Sequence, residues 1–362
     1  MLTNLTQEPQ NIIVVGDAFV SPATMEDAMR ASQVCIGQIS QFFWGSADKD
    51  AFAARQLNVE RVGPEAEPWA DGLETAIADC TVLFTHFNPI PRALIEKAPK
   101  LQVILTCRGG LEHIDLDAAS QRGIPVINVI RNAIPVAEFT IGMMLDLTRN
   151  IAISHHRLIQ GDWFKQFPNA NFTTTLSNLT VGLIGLGNIG IEVAIRLKAL
   201  GVPMMIYDAY LDPKRLPLYG LENVPVVDTL EELFRSCDIV SLHLRLTPET
   251  LHSIDKRYFS LMKPTAYFIS AARGGLINQQ DLIDALRSHS IAGAALDVFE
   301  SEPLSPDAGF VGLDNVLLTP HIAGATVDAI PHSPYLLVRE LDKILTSGIL
   351  DRVVNRKALS LN

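Results

Sequence analysis

Three side chains suited to acid–base or anion chemistry stand just past the ends of apolar runs of the sequence. They are Arg273 after TAYFIS, Asp297 after IAGAAL and His321 after NVLLT. A histidine titrates near neutral pH and carries protons, and an arginine binds carboxylates through paired hydrogen bonds. Taken singly, each is more often structural, because arginines pair at surfaces and aspartates cap turns. Together they predict a catalytic site if the fold brings them to one edge.

A glycine pattern, Gly185-x-Gly187-x-x-Gly190, lies in TVGLIGLGNIG between an apolar run and a helical pattern. The first two glycines allow a tight turn and bring backbone N–H groups against a pyrophosphate, and the third allows close helix–strand packing. We therefore predict a dinucleotide-binding loop that also includes Asn188 and Ile189.

The next apolar run, MMIY, ends at Asp208. A carboxylate at this place accepts hydrogen bonds from the adenosine ribose and repels the additional phosphate of NADP. The alternative to a cofactor site is a tight strand–helix turn that binds no ligand, but such a turn does not require an acidic residue at Asp208. The sequence thus predicts NAD as the cofactor.

Short apolar strands alternate with helical segments along the chain, which predicts parallel α/β architecture. A helical stretch from 136 to 159 is followed by the polar segment GDWFKQFPNANFTTTLSN, and we expect a domain boundary near this point. The expected strands of the first part are 11–15, 34–39, 81–84, 102–106 and 125–128. The expected strands of the second part are VGLI, MMIY, 238–244, 265–270, 291–296 and 315–319.

Length and composition indicate two globular domains, with 362 residues of which 48% are hydrophobic. A formal charge of −11 argues against broad binding of nucleic acid or anionic membranes. The four cysteines form no CxxC pair and there is no HExxH, so we predict no metal site. The start of the chain shows no signal peptide or membrane span, which predicts a cytoplasmic protein.

Several of these stretches, in this order and spacing, resemble the D-isomer-specific 2-hydroxyacid dehydrogenases. The matching stretches are GGLEHIDLDAASQRGIPVIN, GLIGLGNIG, LHLRLTPET, AARGGLIN, LDVFESEPL and TPHIAGAT. The resemblance implies two doubly wound parallel-sheet domains, a Rossmann-type NAD domain over 153–329 and a flavodoxin-like, discontinuous substrate domain over 1–152 and 330–362. It also implies a homodimer built around the NAD domain.

The resemblance assigns roles to the site residues. Arg273, Glu302 and His321 match the family's catalytic arginine, glutamate and histidine, and Asp297 matches an aspartate at the nicotinamide end of the site. On this basis His321 is the general acid/base and Glu302 orients its ring and favours its charged form. Arg273 then holds the carboxylate of a 2-oxo or 2-hydroxy acid and polarises its carbonyl.

The glycine loop of the first domain, in LTCRGGLEHID, is similar to the one that the family uses for its substrate. It places Arg108, Gly109 and Gly110 directly after an expected strand, where successive N–H groups can hold a carboxylate. Many members have a small residue in place of Arg108 and a proline in place of Arg245. These cations either select an acidic or phosphorylated substrate or form ordinary ion pairs, and the sequence leaves both interpretations open.

Two rival functions share this architecture. Formate dehydrogenases resemble one another in having glutamine at the position of Glu302, which disfavours them here. Corepressors of the C-terminal-binding type keep the arginine, glutamate and histidine while working as NAD-sensing scaffolds. The sequence therefore predicts an NAD-dependent D-2-hydroxyacid dehydrogenase, with an NAD-sensing binding protein as the alternative.

Overall fold

The computed structural model describes residues 2 and 4–361 and divides the chain into two compact units. The first unit comprises Met1–Arg131 and Thr326–Asn362, and the second comprises Asn132–Ala325. Each unit is a parallel sheet with helices on both faces. The predicted fold class, two doubly wound α/β domains, is therefore confirmed.

The first unit contains a five-stranded parallel sheet in the order β2-β1-β3-β4-β5. Its strands are β1 Gln10–Gly16, β2 Ile36–Phe43, β3 Val82–Thr85, β4 Val103–Thr106 and β5 Val126–Asn128. Its helices before residue 132 are α1 Asn4–Gln7, α2 Pro22–Arg30, α3 Lys49–Val62, α4 Leu73–Ala76, α5 Arg92–Glu96 and α6 Leu116–Gln121. The strand order is that of flavodoxin-like folds, as expected.

Successive residues of β1 pack into opposite cores of the first unit. Ile13 and Val15 belong to one buried cluster, whereas Ile12 and Val14 belong to the other. This alternation follows from the two-residue period of a strand, and it explains why a strand covered on both faces appears as a continuous apolar run in the sequence.

The second unit contains a six-stranded parallel sheet in the order β11-β10-β9-β8-β6-β7. Its strands are β6 Val181–Ile184, β7 Met204–Tyr207, β8 Ile239–Leu242, β9 Tyr267–Ser270, β10 Gly293–Leu296 and β11 Val316–Leu318. Its helices are α7 Ala133–Arg149, α8 Ile151–Ile159, α9 Asn188–Ala199, α10 Leu230–Ser236, α11 Lys256–Phe259 and α12 Gln279–Arg287. A parallel bridge between Ile206 and Val226 lies beyond β7, where a Rossmann sheet usually has its third strand.

The helical stretch predicted as one helix over 136–159 is two helices. The break is at Asn150, which has a left-handed φ of 57° and ends α7. Asparagine tolerates this conformation better than most residues. The carboxylate of Asp146 then accepts a hydrogen bond from the N–H of Ala152, which satisfies one free donor of the first turn of α8.

The first boundary between the units falls before α7 rather than after it. The apolar face of α7, which includes Val136, Ile141 and Met144, is buried in the same core as β6 of the second unit. Burial of this face therefore assigns α7 to the second unit, whereas the polar composition of 160–178 pointed to a boundary near 152.

After the second unit the chain returns to the first and forms α13, Ser333–Ser347, which packs in the core beside α2 and β5. The following segment is fixed by Asn355, whose buried side chain accepts a hydrogen bond from the N–H of Val126. It also donates to the carbonyl of Ile124 and to the hydroxyl of Ser120. The C-terminal segment is therefore part of the first unit.

We expect Asn355→Ala to lower the free energy of unfolding of the first unit by about 2–3 kcal/mol, because it leaves several buried polar groups without partners. Urea unfolding followed by the fluorescence of buried Trp44 measures the change. Asn58→Ala, at an exposed position of the same unit, is the matched control and should cost roughly 0.5 kcal/mol or less. An unchanged unfolding midpoint for Asn355→Ala would contradict this role of the C-terminal segment.

Candidate active site

The glycine loop joins β6 to α9 in the strand–turn–helix arrangement that the sequence predicted. Gly185 has a φ of +92°, and a β-carbon at Gly190 would lie 2.1 Å from the carbonyl oxygen of Gly185. Gly187 precedes the first residue of α9, and a β-carbon there would meet open space. The loop thus has the close packing and the open N-terminal face that a bound pyrophosphate requires.

Asp208 follows β7 and lies against this loop. Its carboxylate accepts hydrogen bonds from the N–H groups of Leu186, at 2.7 Å, and Tyr210, at 2.8 Å. The two oxygens of a carboxylate offer about four acceptor positions, so positions remain for ribose hydroxyls. The residues therefore fit a dinucleotide, with the loop N–H groups toward its phosphates and Asp208 toward its ribose.

His321 and Glu302 form a direct contact at the carboxyl end of the second unit's sheet. The Nδ1 atom of His321 lies 2.7 Å from the Oε2 atom of Glu302, and the two side chains are 48% and 36% exposed. Because an ionised carboxylate only accepts hydrogen bonds, Nδ1 is the donor. The Nε2 atom of His321 makes no hydrogen bond within the described part of the chain and is available for a reacting group.

Glu302 is held in its ionised form. Partial burial alone would raise its pKa, but the hydrogen bond from His321 and one from the N–H of Phe299 outweigh burial. The charges of His321 and Arg273 act in the same direction, and the pKa of Glu302 lies below its ordinary value. His321 and Glu302 are thus in direct contact, and Arg273 is near enough for its charge to act on Glu302.

The loop that carries Arg273 packs closely on the segment before Glu302. A β-carbon at Gly274 would lie 1.9 Å from the carbonyl carbon of Phe299, so only glycine allows this approach. Arg273 itself is exposed, and its Nη1 atom donates to the carbonyl of Ala272 at 2.7 Å. This packing fixes the arginine loop relative to the His321–Glu302 pair.

Asp297 positions the histidine loop. It is 1% exposed and accepts hydrogen bonds from the Thr319 hydroxyl and from the N–H groups of Ile322 and Ala323. These contacts hold the backbone around His321, which has a φ of 55°. The expected contact between Asp297 and the nicotinamide end of the cofactor stays a prediction. The contacts of Asp297 that the structure shows position the histidine loop.

In the first unit, Arg108, Gly109 and Gly110 follow β4 as predicted. The Asn128 side chain donates to the carbonyl of Gly109 at 3.0 Å, which ties this loop to the end of β5. Arg108 is 14% exposed and donates to Glu60 at 2.8 Å. Arg108 therefore has an ion-pair partner within its own unit, and its role as a substrate ligand stays a prediction.

Arg245, the second unusual cation, is exposed and its side chain makes no hydrogen bond or ion pair with the residues that the structure describes. The structure thus gives it no structural role.

A further group of polar residues, which was not among the predicted site residues, lies at the same edge of the first unit's sheet. Asp17 follows β1, His86 follows β3, and Arg131 lies just beyond β5. Asp17 and His86 are hydrogen bonded and fully buried. Their position directly after strand ends is the signal that selected Arg273, and it was available in the sequence.

Within the described residues, every helix is too short or too polar to cross a bilayer. The same part of the chain holds no group of three or more His, Cys, Asp or Glu side chains suited to a metal ion. The four cysteines are free thiols.

Known proteins similar to this chain agree with the geometry. Residues 141–323 match the family model "D-isomer specific 2-hydroxyacid dehydrogenase, NAD binding domain". A glyoxylate reductase from Thermofilum pendens is 39% identical over 279 residues, which cover 76% of this chain and 80% of that protein. A D-3-phosphoglycerate dehydrogenase from Methanocaldococcus jannaschii is 39% identical over 282 residues, which cover 77% of this chain but only 52% of that protein.

A solved structure shows the same fold. The NAD-complexed D-isomer specific 2-hydroxyacid dehydrogenase from Lactobacillus delbrueckii has a TM-score of 0.66 at 23% identity, covering 94% of this chain and all of that one. Together with the family match and the two relatives, these findings give the same assignment as the glycine loop. The chain belongs to the D-isomer specific 2-hydroxyacid dehydrogenase family, a family of NAD-dependent oxidoreductases, and residues 141–323 are its NAD-binding domain.

Proposed function

We propose that this protein interconverts a D-2-hydroxy acid and the corresponding 2-oxo acid, with His321 as the general acid/base. The observation that carries the proposal is the 2.7 Å contact between His321 and Glu302, which leaves Nε2 of the imidazole available. A structural histidine has no need of an ionised partner and a free nitrogen at the carboxyl edge of an NAD-binding sheet.

The residues of the second unit divide the chemistry between them. The loop from Gly185 to Gly190 and Asp208 would hold NADH, which when bound would supply a hydride to the carbonyl carbon of the 2-oxo acid. As negative charge develops on the carbonyl oxygen, the Nε2–H of protonated His321 donates its proton to that oxygen, and the product is a hydroxyl. Glu302 stabilises the protonated ring, and Arg273 binds the substrate carboxylate and polarises the carbonyl. Oxidation of the hydroxy acid uses the same groups in reverse.

The glycine loop of the first unit stays a proposed carboxylate site, because the successive N–H groups of Gly109 and Gly110 can hold a carboxylate. An NAD-sensing binding protein is the second candidate. The relatives named above are reductases and dehydrogenases, which favours turnover. A cytoplasmic location also stays a proposal.

We further propose a homodimer formed through the NAD-binding unit. Helix α8 buries none of its side chains; Ile159 is 68% exposed, and Trp163 just beyond it is 75% exposed. A cavity of about 590 Å³ lies beside α8 at the amino ends of β9, β10 and β11. Large apolar side chains exposed on α8 and just beyond it favour contact with a second copy.

Removing the negative charge of Glu302 should change the pH dependence of both directions. Since Glu302 is ionised in the neutral range, Glu302→Gln leaves protonated His321 without its negative partner. Reduction needs the protonated ring, so the alkaline limb of kcat/KM should move to lower pH. Oxidation needs the neutral ring, so activity should increase on the acidic side.

The measurement is a pH–rate profile in both directions for the wild type and Glu302→Gln, with NADH binding measured separately. His321→Ala should abolish both limbs of the pH–rate profile and lower turnover by about 10²–10⁴-fold. If the limbs of Glu302→Gln stay in place while NADH still binds, Glu302 does not act on His321.

Asp208 should determine the choice between the two nicotinamide cofactors. The wild type should prefer NADH, and Asp208→Ala should narrow the ratio of kcat/KM for NADH and NADPH by roughly tenfold, because the repulsion of the extra phosphate is removed. Asp212→Ala, which removes the same charge at an exposed position nearby, is the control and should leave the ratio unchanged. Equal use of both cofactors by the wild type would overturn the assignment.

The proposed dimer is tested by the mass of the protein in solution. Ile159→Asp should convert the dimer to a monomer in light scattering, because a charge would be buried in an apolar contact. Leu200→Asp, at a position 53% exposed on the same unit, should leave the mass unchanged. A monomeric wild type would contradict the proposal.

A further inference from the structure

An exposed arginine stands at the carboxyl edge of the second unit's sheet, beside the glycine loop that joins β6 to α9. We propose that Arg245 is a cofactor-binding residue whose guanidinium binds the pyrophosphate of NAD, at the phosphate nearer to the nicotinamide. This role concerns the NAD-binding unit alone, and it does not depend on which 2-oxo acid the protein reduces.

The order of the strands places Arg245 between the glycine loop and the arginine loop. Along the sheet, β7, β6, β8 and β9 are successive neighbours, and each pairs in parallel with the next. Asp208 follows β7, the glycine loop follows β6, Arg245 lies just past β8, and Arg273 follows β9. A dinucleotide with its ribose at Asp208 and its phosphates at the glycine loop continues toward β8 to bring its nicotinamide to the catalytic residues. Arg245 therefore lies on the nicotinamide side of the phosphates.

The segment that carries Arg245 packs directly against the glycine loop. A β-carbon at Gly185 would lie 2.8 Å from the carbonyl oxygen of His243 and 3.0 Å from a methyl carbon of Leu244. The N–H of His243 donates to the carbonyl of Ile184, the last residue of β6, at 2.8 Å. Arg245 directly follows these contacts, so its long side chain begins next to the loop where the phosphates bind.

The backbone on the other side of Arg245 is also fixed. The hydroxyl of Thr250 donates to the carbonyl of Arg245 at 2.8 Å, and it accepts a hydrogen bond from the N–H of Thr247 at 2.8 Å. A β-carbon at Gly275, in the arginine loop, would lie 3.2 Å from a methyl carbon of Leu246. The protein's own contacts therefore determine where the Arg245 backbone lies, whereas the side chain is free to bind a ligand.

Arg245 carries the positive charge of this segment and has not been neutralised by a neighbour. Its side chain makes no hydrogen bond or ion pair with any residue that the structure describes. Glu249, the nearest acid in the sequence, is instead hydrogen bonded to Thr247, which lowers the pKa of Glu249. Burial lowers the pKa of His243 to about 4, so this imidazole is neutral at neutral pH. The charge available beside the glycine loop is thus that of Arg245.

The pyrophosphate of NAD has the chemistry that this position fits. It is a dianion, and the N-terminus of α9 offers it backbone N–H groups and only a partial positive charge. A guanidinium adds a full positive charge and a pair of parallel hydrogen bonds that match the oxygens of one phosphate. It also offsets the repulsion between the cofactor and a chain with a formal charge of −11.

The experiment is calorimetric titration of the wild type and Arg245→Gln with NADH and ADP-ribose, and with AMP by displacement of NADH. ADP-ribose keeps both phosphates of the cofactor, whereas AMP keeps only the phosphate on the adenosine side. Arg245→Gln should raise the Kd for NADH and ADP-ribose by about 10-fold, as for hydrogen bonds to charged groups. The Kd for AMP should change by less than about twofold, because AMP lacks the phosphate that Arg245 binds.

Two further readouts separate a charge contact from a structural role. Arg245→Lys should recover part of the lost affinity, because lysine keeps the charge without the paired hydrogen bonds. The difference between the wild type and Arg245→Gln should shrink in about 1 M NaCl, because salt screens exposed charges. Arg245→Gln should also weaken NADPH by the same factor as NADH, since both cofactors contain the pyrophosphate, and so leave the preference set by Asp208 unchanged.

Arg235→Gln is the matched control. Arg235 is an exposed arginine in the last turn of α10, before β8 and therefore at the opposite edge of the sheet, and its replacement should leave every Kd unchanged. Unchanged Kd values for NADH and ADP-ribose in Arg245→Gln, or an equal loss for AMP, would overturn the inference. A higher KM for a 2-oxo acid with unchanged NADH binding would also overturn it. The titrations need no turnover, so a failure of the proposed function would leave their result valid.

Discussion

Parallel strand pairing is the constraint on which the rest of this structure depends. In both sheets every strand pairs in parallel with its neighbours, so the carboxyl ends of all strands lie at one edge. Residues far apart in the sequence, such as Asp208 after β7 and His321 after β11, therefore lie beyond the same edge of the second unit's sheet. The same constraint gathers Asp17, His86 and Arg108 in the first unit.

Buried hydrogen bonds hold the loops at this edge in one arrangement and so define the site. Asp297, although nearly inaccessible to solvent, satisfies its carboxylate with three donors of the histidine loop and so fixes the backbone on either side of His321. Close packing of Gly274 on Phe299 fixes the arginine loop in turn. Such supporting contacts matter because proton transfer requires heavy atoms within hydrogen-bond distance, and a loose loop would lose that geometry.

Much of the fold and of the site followed from the sequence, because period-2 apolar runs and glycine spacing are local signals. Strands such as β6 and β7 were expected from the sequence. The placement of Arg273, Glu302 and His321 at one site was also expected. The break at Asn150 was not, since the continuous helical pattern hides it and it is stabilised by side-chain contacts with the following helix and loop. The pairing of Arg108 with Glu60, 48 residues away, depends on how α3 packs, which no local pattern encodes.

The central claim is that the His321–Glu302 pair serves hydride transfer to a 2-oxo acid. It is tested most directly by incubating the purified protein with NADH and a panel of 2-oxo acids, following NADH oxidation and determining the configuration of the product. The account predicts NADH consumption coupled one to one to a hydroxy acid of D configuration. Formation of the L isomer, or saturable NADH binding with no oxidation by any 2-oxo acid, would contradict it.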